Sequence, residues 1–135
     1  MASDSKTKLG RFPWARLIGL GFVFLWFLIG GVAHFAATAI EMRIVPPYIP
    51  SPRAAVLVSG ALELLGAVGL LVRSTRRAAG IGLFMLTIAV TPANIFMLHR
   101  SELFAVPLIL RLPVQVGLLA LIVWTTGAAD FLKRG

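Results

Sequence analysis

The stretch LIGLGFVFLWFLIGGVAHFAATAI, residues 17–40, contains one titratable side chain, His34, in an otherwise apolar run. An α-helix rises about 1.5 Å per residue, so about 20 apolar residues cross the hydrocarbon core of a bilayer. Three further apolar runs of similar length follow, at about residues 54–72, 78–98 and 107–126. Strand spans would need about ten residues of strict alternation, which these runs lack. We therefore predict four membrane-spanning helices.

The composition indicates the same class of protein. Hydrophobic residues make up 59% of the 135-residue chain and charged residues 13%, and the mean hydropathy is +0.93. A soluble domain has about 25% charged residues. The sequence predicts one all-α domain, a four-helix up-down bundle over residues 17–126, with a basic N-terminal segment (1–16) and a tail (127–135). The chain contains no cysteine, which excludes disulfides and thiolate-held metal sites.

The basic residues predict the orientation of the bundle. Nine of the 13 Lys and Arg residues lie in the N-terminal segment, the 73–77 loop and the tail, whereas the loops on the other side contain three. Because Lys and Arg are enriched in cytoplasmic loops, we expect both termini to be cytoplasmic, in a bacterial inner membrane. The charges form short clusters between apolar runs, so the net charge of +8 does not indicate a nucleic-acid partner.

A cleaved signal peptide is the alternative interpretation of the first apolar run. A basic segment precedes this run, and the sequence ATA at residues 37–39 resembles a cleavage site. The apolar core of a signal peptide has about 7–15 residues, and this run is longer. We therefore expect the first span to be retained in the mature protein.

Five polar side chains interrupt the predicted spans. A charged side chain inside a membrane costs about 2.5–3.5 kcal/mol on insertion scales, so each needs a partner or a function. Counting helical rise from the outer end of each span places all five about 6–14 Å below the outer surface. They come from four different helices, and we expect them to converge there. These residues are His34, Glu63, Asn94, Arg111 and Gln115.

The convergence predicts a buried polar core in the outer half of the bilayer. We expect Glu63 to neutralise Arg111, because an unpaired arginine is the costly alternative, and the other three side chains to complete the hydrogen bonds. Glu41 is a second carboxylate near Arg111, and Tyr48 lies in a proline-rich connector at residues 45–52. We expect this stiff connector to lie over the outer mouth of the bundle.

The role of this polar core has two interpretations. A buried ion pair with hydrogen-bonding neighbours fixes helix register in some proteins and does nothing else. Ionisable residues that face the interior of a membrane protein are alternatively candidates for a ligand site or a proton path. The two histidines are far apart in sequence, so we predict no metal site, and no residue has a pattern that identifies it as catalytic.

Four short motifs resemble those of the DoxX/DoxX-like family of small four-helix membrane proteins. They are GGVAHF (30–35), SGALELLGAVGLL (59–71), TPANIFM (91–97) and LRLPVQ (110–115). The resemblance covers about residues 17–125 and implies the same order of four spans. It also implies an association with quinone-dependent oxidation, redox stress responses or maturation of partner proteins. The matching polar and proline residues are His34, Glu63, Pro92, Asn94, Arg111, Pro113 and Gln115.

The leading hypothesis is an inner-membrane accessory subunit whose polar pocket binds a small hydrophobic ligand. A quinone headgroup is the candidate that the resemblance favours, and no other cofactor is expected. Besides the lipid bilayer, a partner protein or a second copy of the chain would complete the assembly. One alternative is a structural or chaperone-like membrane protein, and another is a subunit of a quinone-linked oxidoreductase. A self-sufficient redox enzyme is not expected, because no flavin, haem or cluster motif is present.

Overall fold

The computed structural model describes residues 13–99 and 105–132, and the side chains of residues 13–96 and 112–130. Every regular element in these ranges is helical, as the apolar runs predict. The helices are α1 (Pro13–Ala36), α2 (Thr38–Glu41), a 3₁₀ turn (Met42–Ile44), α3 (Pro52–Leu71), α4 (Arg76–Ala89), α5 (Thr91–His99), α6 (Ala105–Thr126) and α7 (Ala129–Leu132).

Three helical stretches are long and apolar enough to cross a membrane, namely Pro13–Ala36, Pro52–Leu71 and Arg76–Phe96. A fourth long helix, α6, is apolar over Leu112–Thr126. Large apolar side chains cover the outer faces of these helices, and Ile29 and Leu65 are exposed to 66% and 70%. A water-soluble surface of this size would rarely expose so much contiguous apolar area. The chain is therefore a membrane protein, and lipid is the solvent of these faces.

The long helices pack through neighbouring faces. The helix α1 contacts α3, α3 contacts α4, and α6 contacts both α1 and α4. A cluster of buried apolar side chains from all four helices lies between them, nearer the α3–α4 turn than the α2 end. This apolar core consists of Leu20, Val23, Phe27, Ala67, Leu70, Leu83, Leu118 and Ile122.

The third apolar run is broken near its middle. The helix α4 ends at Ala89, Val90 forms a turn, and α5 starts at Thr91. Pro92 has no N–H and its ring excludes the carbonyl of Ile88, one turn earlier, from the usual hydrogen bond. The sequence predicts this loss of a hydrogen bond within one span at 78–98, and the two helices together form one apolar stretch, Arg76–Phe96, long enough to cross a membrane. Asn94 and Thr91, which follow the break, both contact Gln115 of α6.

The first apolar run also ends earlier than the predicted residue 40. The helix α1 stops at Ala36, and Ala37 leaves the helical region with φ −125° and ψ 36°. The Thr38 hydroxyl donates to the carbonyl oxygens of His34 (2.7 Å) and Phe35 (3.1 Å). Threonine hydroxyls that bond to these carbonyls compete with backbone helix bonds and bend the chain. The short α2 and the 3₁₀ turn then lead into the proline-rich connector.

Candidate functional site

A cavity of about 420 Å³ lies between the helices at the α2 end of the molecule. Polar side chains from four different helices line it, among them His34 from α1, Glu63 from α3, Asn94 from α5 and Gln115 from α6. These are four of the five residues that depth along the spans groups together. The agreement in level between the helices therefore corresponds to a shared cavity in three dimensions.

Most of the remaining cavity wall is apolar. Side chains of α1 (Trp26, Phe27), α3 (Val56, Leu62), α4 (Leu86) and α6 (Leu118) form its inner surface. Residues of the segment from Ile44 to Ile49 also line the cavity, so part of the connector contributes to its wall. Ligand pockets commonly have volumes of about 300–1,000 Å³, with apolar walls and a few convergent polar groups. The cavity has this character.

Two glycines bring α1 and α3 close together at the cavity. A Cβ atom on Gly60 would lie 2.5 Å from the Cβ of His34, and a Cβ on Gly30 would lie 2.7 Å from Glu63 Oε2. Small residues at helix contacts in membranes allow this approach. A larger residue at Gly60 would clash with the Cβ of His34 and push the helices apart, whereas the flexible end of Glu63 can move away from a side chain at Gly30. Gly60 therefore determines how closely His34 approaches α3.

His34 and Glu63 form the charged pair of the cavity. His34 Nε2 lies 3.6 Å from Glu63 Oε1, and the two side chains are 17% and 12% exposed. The hydroxyl of Ser59 donates to the Val56 carbonyl at 3.0 Å, and its oxygen lies 3.4 Å from His34 Nδ1. With the Ser59 hydrogen directed at Val56, the hydroxyl oxygen accepts from Nδ1–H. His34 Nε2 then faces Glu63 Oε1.

Asn94 and Gln115 form a second polar group, which joins α5 to α6. Asn94 Nδ2 donates to Gln115 Oε1 at 2.5 Å, and Gln115 Nε2 donates to Thr91 Oγ1 at 2.6 Å. The same Nε2 lies 3.4 Å from the Thr87 carbonyl oxygen, to which the Thr91 hydroxyl donates at 3.1 Å. The Gln115 amide thus has protein partners for its oxygen and for both hydrogens. Gln115 therefore holds the broken third span against α6.

The other predicted site residues have different outcomes. Glu41 and Tyr48 both line the cavity, and Tyr48 is 70% exposed. Arg111 belongs to α6, but its side chain lies outside the described residues. The Glu63–Arg111 ion pair therefore stays a prediction. Within the described side chains, the partner of Glu63 is His34, a pairing that sequence reasoning did not single out.

Sequence reasoning missed the roles of three hydroxyl side chains. Thr91 and Thr87 precede Asn94 by three and seven residues, so helical spacing places them on its face. Ser59 precedes Glu63 by four residues and so lies on its helical face, and its hydroxyl oxygen lies 3.4 Å from His34 Nδ1. The sequence signal for these hydroxyl groups is helical spacing, because side chains three, four or seven residues apart share one face of a helix. No cluster of three or more His, Asp or Glu side chains within the described ranges could hold a metal ion.

Comparisons with known proteins bear on the family. Neither the curated proteins nor the solved structures contain a match to this chain. A family model with the description "Domain of unknown function (DUF8561)" matches residues 23–128. That range contains every cavity-lining residue named above. The chain therefore belongs to the DUF8561 family.

Proposed function

We propose that the protein binds a small hydrophobic molecule in the cavity, with a quinone headgroup as the leading candidate. The observation that carries this proposal is the convergence of four polar side chains from four helices on one largely apolar cavity of about 420 Å³. Apolar walls fit the body of such a ligand, and a few fixed donors and acceptors orient it. The protein would act as an accessory subunit of a redox-related membrane assembly.

The His34–Glu63 pair supports binding because the two groups do not saturate one another. Hydrogen bonds between nitrogen and oxygen have lengths of about 2.7–3.2 Å, and the separation here is 3.6 Å. A small rotation of the imidazole would direct Nε2–H toward a carbonyl oxygen in the cavity, with the Glu63 carboxyl group beside it. A quinone headgroup presents carbonyl oxygens that accept such hydrogen bonds. The pair would thus orient the headgroup through a hydrogen bond to one of its carbonyl oxygens.

The setting of the cavity completes the proposal. We infer a four-helix up-down bundle in the bacterial inner membrane, with both termini cytoplasmic and the cavity nearer the outer surface. The bias of nine against three basic residues supports this orientation. The resemblance of the four motifs to the DoxX-like proteins supports a redox-related role. The Arg111 side chain would be the counter-ion of the carboxylate or a clamp for an anionic group.

A structural role is the second candidate, and the Asn94–Gln115 group favours it. These two side chains and Thr91 satisfy one another across the α5–α6 contact. Buried side-chain nitrogen and oxygen atoms in the described part of the chain all have hydrogen-bond partners. A fully satisfied network fixes helix packing without any ligand. If all the polar side chains around the cavity are satisfied in this way, Glu63 would contribute only to the stability of the fold.

Mass spectrometry of small molecules retained by the protein separates the two candidates. Wild type, Glu63→Gln and Asp130→Asn are purified in a mild detergent and extracted. Asp130→Asn is the matched control, because it makes the same carboxylate-to-amide change at the other end of the molecule. We expect a quinone in wild type and Asp130→Asn, and at least a several-fold loss in Glu63→Gln at similar stability. Bulk lipid alone in every sample, or equal retention by Glu63→Gln, would contradict the proposal.

A further inference from the structure

A second, larger cleft lies at the opposite end of the molecule from the cavity. The start of α1, the α3–α4 turn, the start of α4 and the end of α6 surround about 1,270 Å³. Four arginines line this basic cleft: Arg16, Arg73, Arg76 and Arg77. Asp130 is the acidic residue among the lining side chains, so the titratable lining has a formal net charge of +3. Nothing in the proposed function uses this cleft.

Two of the arginines are fixed in place by backbone carbonyls. Arg16 Nε donates to the Thr125 carbonyl at 3.1 Å, and Arg76 Nε donates to the Leu70 carbonyl at 2.8 Å. Each of these bonds uses one of the five N–H donors of a guanidinium. Among the described residues, none of the four arginines forms an ion pair with a carboxylate. Within the part of the chain that the structure describes, their terminal nitrogens therefore lack a carboxylate partner.

The start of α4 adds to the positive potential. Its first turn has no acidic residue, and no side chain caps its first N–H groups. The Thr75 hydroxyl instead donates to the Gly69 carbonyl at 2.8 Å. A helix N-terminus favours negative charge, so Arg76 and Arg77 at this position are unfavourable until an anion neutralises them. The arrangement of residues has a cost that a bound anion would offset.

The walls of the cleft are apolar. Leu17, Leu20, Phe84, Leu119, Val123 and Trp124 lie beneath the arginines. A site for a small free anion needs no such walls, whereas an amphipathic anion would contact both parts. Basic pockets between transmembrane helices on the cytoplasmic side bind anionic lipid headgroups. The volume exceeds the range of about 300–1,000 Å³ common for small-molecule pockets, which leaves room for parts of acyl chains.

We propose that the basic cleft binds an anionic phospholipid, with the phosphodiester at the arginines and the upper acyl chains against the apolar walls. The phosphate group is the recognised chemistry, and the apolar walls distinguish the lipid from free phosphate. The positive-inside bias places this lipid in the cytoplasmic leaflet. The lipid would also bridge α1, α4 and α6 at the end where the α3–α4 turn is exposed.

Native mass spectrometry of the full chain in mild detergent tests this proposal. The protein is titrated with phosphatidylglycerol and with phosphatidylcholine of the same acyl chains, and separately with inorganic phosphate. The test variant is Arg73→Gln/Arg77→Gln, whose side chains are exposed. The matched control is Arg43→Gln/Arg53→Gln, also exposed, at the cavity end and with the same change in net charge.

We expect wild type to bind phosphatidylglycerol about tenfold more tightly than phosphatidylcholine, and the Arg73/Arg77 variant to lose most of this preference. The control variant should keep its affinity within about twofold, since its arginines lie beyond a Debye length from the cleft. Equal losses in both variants, or equal binding of the two lipids, would overturn the proposal. Inorganic phosphate binding as tightly as the lipid would also overturn it, because the walls would then contribute nothing. If the Arg73/Arg77 variant fails to fold, the salt dependence of lipid binding by wild type replaces it as the test. A preference of wild type for phosphatidylglycerol that does not weaken as salt is added would contradict the proposal.

Discussion

The apolar core and the cavity are built from the same four long helices, yet they are filled in opposite ways. At the level of Val23, Leu70 and Ile122 the space between the helices is filled by side chains with no exposed surface. At the level of His34 and Glu63 a cavity of about 420 Å³ lies between the helices, with a largely apolar wall that contains several polar side chains. Cavities reduce stability, and so do buried polar groups that lack hydrogen-bond partners. The comparison predicts that the apolar core contributes more to stability than the side chains around the cavity.

Glycines contribute to both regions, but they admit different partners. In the apolar core, Gly66 lies against the Leu83 side chain and so lets α3 and α4 interlock. At the cavity, Gly30 and Gly60 admit the polar side chains of Glu63 and His34. The same packing device thus gives a dry contact in one region and a polar contact in the other. If the two regions differ in stability as they differ in filling, substitutions in the apolar core should lower the free energy of unfolding more than substitutions at the cavity.

The largest effect is expected in the apolar core, from Leu70→Ala. Leu70 has no exposed surface and packs in the cluster, so truncation should lower the free energy of unfolding by about 2–5 kcal/mol. Its neighbour Leu71 is 59% exposed on the outer face, and Leu71→Ala should change little. Unfolding in mixed detergent, followed by circular dichroism, measures both. Equal losses would mean that the core does not dominate stability.

A smaller loss is expected at the α1–α3 contact, from Gly60→Ala. The added Cβ would meet His34 Cβ at 2.5 Å, and relieving such overpacking costs about 1–3 kcal/mol. Gly21 has nothing within 4 Å of an added Cβ, so Gly21→Ala should be neutral or stabilise α1 by up to about 1 kcal/mol. The same unfolding measurement compares the two variants. If Gly60→Ala changes the free energy of unfolding as little as Gly21→Ala does, α1 and α3 do not approach one another closely at His34.

The coupling between Asn94 and Gln115 should be smaller again. A double-mutant cycle with Asn94→Ala and Gln115→Ala should give a coupling energy of about 0.5–1.5 kcal/mol, since interhelical hydrogen bonds in membranes have this magnitude. The physical reason is the hydrogen bond between their amides, which joins α5 to α6. Strictly additive losses would show that the two amides do not interact in the folded protein.

The smallest effect on stability is expected from Glu63→Gln. An amide retains a hydrogen-bond acceptor for His34 and removes a partly buried charge, so the free energy of unfolding should change by less than about 1 kcal/mol. The protein should at the same time lose its cavity ligand. If the free energy of unfolding of purified, ligand-free protein fell by several kcal/mol, the His34–Glu63 pair would instead stabilise the fold, as the apolar core does.

Much of this organisation could be predicted from the sequence, because hydropathy determines which segments are in lipid and helical rise determines their level. Depth alone groups His34, Glu63, Asn94 and Gln115, which the cavity brings together. Level does not determine rotation about the helix axis, which depends on contacts such as Gly60 against His34. Formal charge therefore favoured Arg111 as the partner of Glu63, and the contact with His34 was not predicted.

The breaks in the first and third spans were also beyond the sequence pattern. Pro92 indicates a lost hydrogen bond, but whether a helix bends or ends there depends on what else can bond to the released groups. Here the carbonyl of Thr87, one residue before the carbonyl that Pro92 releases, accepts from the Thr91 hydroxyl, and Gln115 from another helix approaches it. At Ala37 the competing donor is the local Thr38 hydroxyl. Long-range and side-chain hydrogen bonds of this kind leave no periodic signal.

The most direct test of the central claim is a titration of the cavity followed by fluorescence of Trp26, which lines it. The chain has three tryptophans, so Trp14→Phe/Trp124→Phe leaves Trp26 as the sole reporter. A short-chain quinone is added to this protein in detergent, with and without Glu63→Gln. We predict saturable quenching that Glu63→Gln weakens by about tenfold, and that Asp130→Asn leaves unchanged, since a hydrogen bond to a charged group contributes about 1.5–3 kcal/mol. Quenching that never saturates, or that is the same with Glu63→Gln, would contradict a quinone site between His34 and Glu63.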